Sequence, residues 1–259
     1  MLVDIHAHLD HERFSKDLDK VIERCRKEKM IVITSGVNTE TNRKALEIAE
    51  RYNDVVKCSL GLYPLDALGV EMEKGEFPRT IELTNVDKEL KFIKENKNKI
   101  ICIGEAGLDL AYVQNLDEQI KNFEKVIKLA EEIKKPLIVH SRKAEREAIE
   151  ILEKSKLKKV VMHCFTGSFK LAKRIEKNGW YLSIPANITK SMHFQGITEL
   201  IDINNLLTET DAPYLAPLGK ERNEPIFVKE TVKKIAEIKK MDREEVEKNI
   251  FMNFQNIFL

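Results

Sequence analysis

Short apolar, β-branched runs alternate along this chain with longer charged stretches in which apolar residues recur every three or four positions. The runs occupy residues 3–6, 31–34, 55–60, 100–104, 136–140, 160–163, 180–184 and 205–209. Runs of this length read as buried strands. The stretches between most of them read as amphipathic helices: in residues 116–134, Ile120, Phe123, Ile127 and Ala130 fall on one face. Strands alternating with helices call for a parallel sheet, and eight such units predict a closed (β/α)8 barrel, the TIM-barrel architecture. Two further helical patterns, residues 226–239 and 243–253, close the chain, one completing the last unit and the other packing outside. Residues 66–84 form a long connection after the third strand, and residues 205–225 carry a proline-rich loop after the eighth. Loops after strands shape the mouth of a barrel, although plain surface insertions would have the same pattern.

Composition narrows this picture. A length of 259 residues suits one barrel, so a single domain over residues 1–259 is expected. Hydrophobic residues at 42% and charged residues at 34% describe a globular protein with well-solvated helices. The net charge of +1 excludes a global basic field, so an anionic substrate would be held by a local patch or by metal. Cys25, Cys58, Cys102 and Cys164 lack Cys-x-x-Cys spacing and are expected to be buried, reduced thiols. The first strand starts without a basic-then-apolar leader, and no apolar stretch approaches the roughly 20 residues of a membrane span. A cytoplasmic protein with no membrane partner is therefore expected, and no protein partner can be inferred.

In a barrel, residues at the carboxyl ends of different strands converge on one mouth. Here those ends read His6 and His8, Glu105, His140, His163 and Asp211. Strand alternation puts Ile103 with Glu105, Ile138 with His140, Val161 with His163, and Leu207 with Glu209 and Asp211. Cys102 and Cys164 fall on the opposite face, against the helices. Four imidazoles and two carboxylates exceed the needs of one divalent ion but suit two, about 3.5–4 Å apart, with one carboxylate between them. Zn²⁺, Mn²⁺ and Mg²⁺ are all compatible with this set.

Other residues can support such a centre. Asp4 and Glu209, each two residues before a candidate ligand, can orient a ligating imidazole through its free N–H. Ser168, in the turn after His163, can cap a helix or help to bind a phosphate at that helix's N-terminus. Arg142, Lys143, Arg146, Lys170, Lys220 and Arg222 follow strands five, six and eight, where they can track a phosphate backbone or simply face solvent. Tyr63 and Tyr214, beside prolines at strand ends, can stack on a base or wall the pocket.

Read together, Asp4-Ile-His-Ala-His8, Gly104-Glu-Ala-Gly-Leu-Asp109, Val139-His-Ser141, His163-Cys-Phe-Thr-Gly167, Glu209-Thr-Asp-Ala-Pro-Tyr-Leu-Ala-Pro217 and Arg222-Asn-Glu-Pro225 resemble the TatD family of metal-dependent deoxyribonucleases. The resemblance extends from residue 4 to Asn253. It implies that His6, His8 and Asp211 hold one metal, that His140 and His163 hold a second, and that Glu105 bridges them. It also implies hydrolysis of DNA phosphodiesters, with Asp211 handling the proton of the attacking water as in the wider amidohydrolase superfamily. One departure stands out. The family's usual Gly-x-His-Pro reads Gly61-Leu-Tyr-Pro64 here, so a phenol replaces an imidazole expected near the substrate phosphate. A phenol donates a hydrogen bond but supplies no cation at neutral pH. His193 lies outside the pattern and reads as a surface histidine with its hydrogen bonds met.

The leading expectation is a metal-dependent deoxyribonuclease that uses Asp211 and Glu105 in catalysis and contacts substrate through Tyr63, Ser168 and Arg222. A binuclear barrel hydrolase acting on a carboxylic ester, lactone or amide is the alternative that the Tyr63 departure favours. A barrel that binds nucleic acid without cutting it is a third.

Overall fold

The computed structural model describes residues 1–69, 81 and 83–259. Most of the long connection expected at residues 66–84 lies outside the described residues. Its first residues belong to a short helix, Pro64–Leu68, which begins on a proline preset for a first helical turn.

Eight parallel strands form one sheet in sequence order: β1 Val3–Ala7, β2 Ile31–Ser35, β3 Val56–Leu62, β4 Cys102–Asp109, β5 Leu137–Arg142, β6 Val160–Met162, β7 Tyr181–Ile184 and β8 Leu206–Thr208. The helices between and after them are α1 Leu18–Lys27, α2 Thr39–Arg51, α3 Pro64–Leu68, α4 Val86–Glu95, α5 Leu116–Ile133, α6 Glu145–Glu153, α7 Phe169–Lys177, α8 Met192–Leu200, α9 Val228–Lys239 and α10 Arg243–Phe258. This is the (β/α)8 barrel expected from the alternation. Along the described residues no helix is long and apolar enough to cross a membrane.

Local chemistry sets the helix bounds. In α2, Asn38 accepts from the Thr41 amide while the Thr41 hydroxyl takes the Asn38 amide, a reciprocal cap that fixes the start. In α5, Asp117 and Glu118 sit in the first turn, where the helix dipole favours anions, and Lys134 at φ 55° ends the helix. Phe123, Val126, Ile127 and Ala130 face the sheet and are buried. Burial of each large side chain of this kind contributes roughly 1.5–3 kcal/mol. Helix α10 runs to Phe258, beyond the expected end at residue 253, because Phe254, Ile257 and Phe258 extend its buried face.

The barrel closes where β8 meets β1. Ala7 and Ala212 form a parallel bridge, the His8 amide donates to Ala212 O at 2.7 Å, and the Asp211 amide donates to His6 O at 2.9 Å. The Thr208 hydroxyl donates to Val3 O. Asp4 belongs to the same seam. Its carboxylate accepts the His6 and Thr210 amides and the Thr210 hydroxyl, and it touches no imidazole. The expectation that Asp4 orients a ligand ring is corrected accordingly: two amides and a hydroxyl use its acceptor sites first.

Two glycines let the strands approach β4. A Cβ on Gly61 would lie 2.3 Å from the Glu105 carbonyl oxygen. Gly107, at φ 156°, has the His140 carbonyl oxygen 1.9 Å from where a Cβ would be. Glu105 and His140 therefore stand on backbone that no side chain pushes apart. Gly107→Ala is expected to destabilise the protein by roughly 1–3 kcal/mol; an unchanged melting temperature would contradict the close approach.

Candidate metal centre

Six candidate ligands from five strands meet at the mouth. His6, Glu105 and His140 lie within β1, β4 and β5, whereas His8 and His163 sit one residue past β1 and β6. Asp211 follows β8 at φ 55°, a left-handed conformation that aspartate tolerates better than most residues.

Glu105 is the hub. Its Oε1 lies 2.7 Å from His140 Nδ1 and 3.1 Å from His163 Nε2, and its Oε2 lies 3.4 Å from His6 Nε2 and 3.7 Å from His8 Nε2. Asp211 Oδ1 stands 3.3 Å from His8 Nε2 and 3.6 Å from His6 Nε2. Two groups with metal-ligand spacing result, His6–His8–Glu105 and Glu105–His140–His163, with Glu105 common to both.

The outward nitrogens fix which ring atoms face inward. His8 Nδ1 lies 3.1 Å from Ser35 O, an acceptor only, so this nitrogen carries the proton and Nε2 turns a lone pair to the centre. His140 Nε2 lies 3.1 Å from Asp109 Oδ2, which leaves Nδ1 facing inward by the same logic. His6 Nδ1 meets the Ser35 hydroxyl at 3.1 Å. His163 Nδ1 lies 3.4 Å from Glu209 Oε2, a charge contact without hydrogen-bond alignment. Glu209 thus stands behind a ligand ring, where alternation placed it. It is itself held by the Cys164 amide and the Ser183 hydroxyl.

Inward nitrogens face one another closely, His6 Nε2 to His8 Nε2 at 3.2 Å and His140 Nδ1 to His163 Nε2 at 3.3 Å. Nitrogen lone pairs turned toward each other around a carboxylate need positive charge between them. The titration tendencies express that need. Burial would raise the Glu105 pKa, but His163, His140 and His6 hold it well below the usual carboxylate range. Burial opposes charge on His8, yet Asp211 and Glu105 bring its pKa up to about 9. His163 and His140 are also raised against burial by carboxylates, whereas burial and the neighbouring His163 lower His6. A cation between the rings would take the place of these protons, and imidazoles so neutralised, two of them with an outer nitrogen held by an acceptor, form with the shared carboxylate a donor set suited to divalent ions.

The ligands open into a cavity of about 480 Å³, within the range of small-molecule sites. Its walls include Asp10, His11, Tyr112, Arg142, Thr166 and Tyr214. Arg142 Nη1 lies 3.1 Å from the Tyr112 hydroxyl, and its guanidinium lies over that ring. Cys164 also lines this cavity, contrary to the expected helix-facing position, because it lies past the end of β6 at φ 44°, where strand alternation no longer applies. Burial and the Glu209, Asp211 and Glu105 carboxylates raise its thiol well above the ordinary range, so it is neutral.

Of the three side chains expected to touch substrate, only Tyr63 reaches the cavity. Its hydroxyl is already committed, donating to Asp109 Oδ2 at 2.6 Å and lying 3.4 Å from His140 Nε2. It supports a ligand ring through Asp109. Ser168 caps α7, accepting from the Leu171 amide, and faces a shallow depression on the outer surface with Arg146 and Lys170. Arg222 is held by Asp17 at 2.7 Å and Glu224 at 2.7 Å and lies over Phe14. It fastens the last loop to the start of α1, its guanidinium donating to both Asp17 oxygens and to Glu224. His193 is a satisfied histidine, its Nε2 lying 3.2 Å from Phe165 O.

Sequence reasoning missed Asp109 and Ser35 as supports. Asp109 was within reach, since residues 105, 107 and 109 share one face of β4. Ser35 ends β2 with no chemical signal beyond its position. Asp109→Asn is expected to weaken divalent-metal binding by about 10–100-fold, with Tyr63→Phe changing it less; equal affinity in a calorimetric titration of Asp109→Asn would remove Asp109 from this role.

The TatD related DNase family matches residues 3–259. A relative from Methanocaldococcus jannaschii, named as a metal-dependent hydrolase, is 36% identical over 99% of this chain and 96% of its own length. Human deoxyribonuclease TATDN3 is 32% identical over 95% of this chain and 90% of its own length. The crystal structure of the TatD homologue YjjV from Escherichia coli superposes with a TM-score of 0.85 over 99% of this chain and 97% of that one, at 23% identity, a likeness of fold.

Proposed function

Because this chain belongs to the TatD-related DNase family, we propose that its single barrel domain, residues 1–259, is a divalent-metal-dependent hydrolase that cleaves DNA phosphodiesters. The observation that carries this reading is Glu105, shared between two imidazole pairs. His6, His8 and Asp211 would hold one cation, His140 and His163 a second, and Glu105 both, with Zn²⁺, Mn²⁺ or Mg²⁺ as candidates. When bound, such cations supply Lewis acidity to water and to a phosphoryl oxygen.

The chain's own residues supply the rest. Asp211 is the partly exposed carboxylate of the set, with 17% of its side chain accessible, and is positioned to accept the proton of an attacking water. Glu105, nearly buried and held anionic, fixes the ligand geometry. Asp109, Ser35 and Glu209 keep the rings oriented. Arg142, exposed at the cavity wall and propped by Tyr112, offers a cation to a flanking phosphate.

Tyr63 favours one competing reading, a carboxylic ester, lactone or amide substrate, since an uncharged phenol lies where the family commonly has an imidazole. Incubation of metal-replete protein with labelled single- and double-stranded DNA and with an ester panel separates the two: chelator-sensitive cleavage of DNA supports the nuclease, and cleavage of esters alone refutes it. Asp211→Asn is expected to slow turnover by roughly 10²–10⁴-fold with metal still bound; unaltered turnover would take Asp211 out of the mechanism. Glu105→Ala is expected to lose metal by elemental analysis, and full metal content in that variant would dismiss the shared carboxylate.

A further inference from the structure

Beside the loop that follows His163, an exposed ring is stacked on a half-buried one. Phe169, the first residue of α7, is 48% exposed, and its ring lies parallel to that of His193 on α8, with centroids 5.7 Å apart and planes 15° from parallel. Both rings are fixed. His193 is anchored to Phe165 O, two residues beyond His163. Phe169 rests on Gly196, where an added Cβ would lie 2.6 Å from its Cζ. Thr166, in the same loop, lines the cleft, so the rings adjoin it. Phe169 lies six residues from His163, at most roughly 20 Å away even along an extended chain.

Charge surrounds the rings. Lys170 follows Phe169, Lys190 precedes the cap of α8, and Arg146 shares a shallow depression with Ser168 and Lys170. All three cations are exposed and, among the described residues, form no ion pair, whereas Arg24, Arg26, Arg174 and Arg222 are each bound to carboxylates. Glu145, beside this loop, accepts from the Thr166 hydroxyl, and Glu150 lines the same depression as Arg146 and Lys170 but pairs with Arg174. Met192 and Leu218 are also exposed here, and the Leu218 amide ties its loop to Thr189.

We propose that Phe169, stacked on His193 and flanked by Lys170, Lys190 and Arg146, is a platform for an unpaired base of a single-stranded polynucleotide whose adjoining phosphodiester enters the cleft. This rests on the phosphodiesterase reading above and narrows its substrate to single strands or unpaired ends. Every base has a π-face, so the contact tolerates any sequence, and stacking of this kind contributes about 5- to 150-fold in affinity per base. A paired base inside a duplex has both faces covered and cannot use the platform. An apolar protein surface would satisfy Met192 and Leu218 but leave Lys170 and Lys190 without an anionic partner.

The test measures binding and cleavage separately, on metal-loaded protein. Anisotropy of a fluorescein-labelled phosphorothioate oligothymidylate, which resists hydrolysis, reports binding. Phe169→Ala is expected to weaken binding about tenfold while retaining wild-type metal content and melting temperature, and Phe169→Trp is expected to restore it. The introduced indole is expected to be quenched by the oligonucleotide, and it stands out because the one native tryptophan, Trp180, is buried. Lys170→Ala is expected to reduce the salt dependence of binding by about one counterion. Equal affinity of Phe169→Ala and wild type, an unquenched indole, or no binding by wild type would each overturn the platform. Binding that depends on Phe169 without any cleavage of ordinary DNA would uphold the platform and reject the nuclease; cleavage indifferent to Phe169 would do the reverse.

Discussion

A buried carboxylate between two pairs of imidazoles is the constraint around which this structure is arranged. Glu105 cannot stand alone in a dry barrel mouth, because an uncompensated buried anion costs several kcal/mol. Its charge is answered on one side by His140 and His163 and on the other by His6 and His8. The surrounding framework serves that meeting. Gly61 and Gly107 let the neighbouring strands close on β4, while Ser35 and Asp109 set which nitrogen His8 and His140 turn inward and Glu209 stands behind His163.

The phenol of Tyr63 fits this logic. Through Asp109 it extends the support of His140 by one more hydrogen bond, so an uncharged side chain at that position keeps a role in ordering the centre. On the proposed reading, cationic contact with a phosphate would fall to Arg142 and to Lys170 and Lys190. A chain of almost neutral overall charge can concentrate its cations in this way only locally.

Much of this was legible in the sequence because strands impose a period of two. Once eight strands were recognised, alternation put Glu105, His140 and His163 on the inner face without further information. The same rule failed two residues past a strand end: Cys164, at φ 44° in a turn, lines the cleft. It was also silent about competition for a charged group. Arg222 and Ser168 have the right chemistry for phosphate, but Asp17 and Glu224 already hold Arg222 and Ser168 faces away from the cavity, and only three-dimensional packing reveals this. Asp4 misled for the same reason, its acceptor sites being filled by amides across the sheet.

The junction of β8 with β1 is bridged by one residue pair and a few hydrogen bonds, whereas the other strand pairs are joined by longer ladders. His6 and His8 stand on one bank of that junction and Asp211 on the other. Any cation gripping all three is a rivet through the weakest stave of the cask. A cation bound there would join occupancy of the centre and integrity of the scaffold in one equilibrium, so that its removal would loosen the wall.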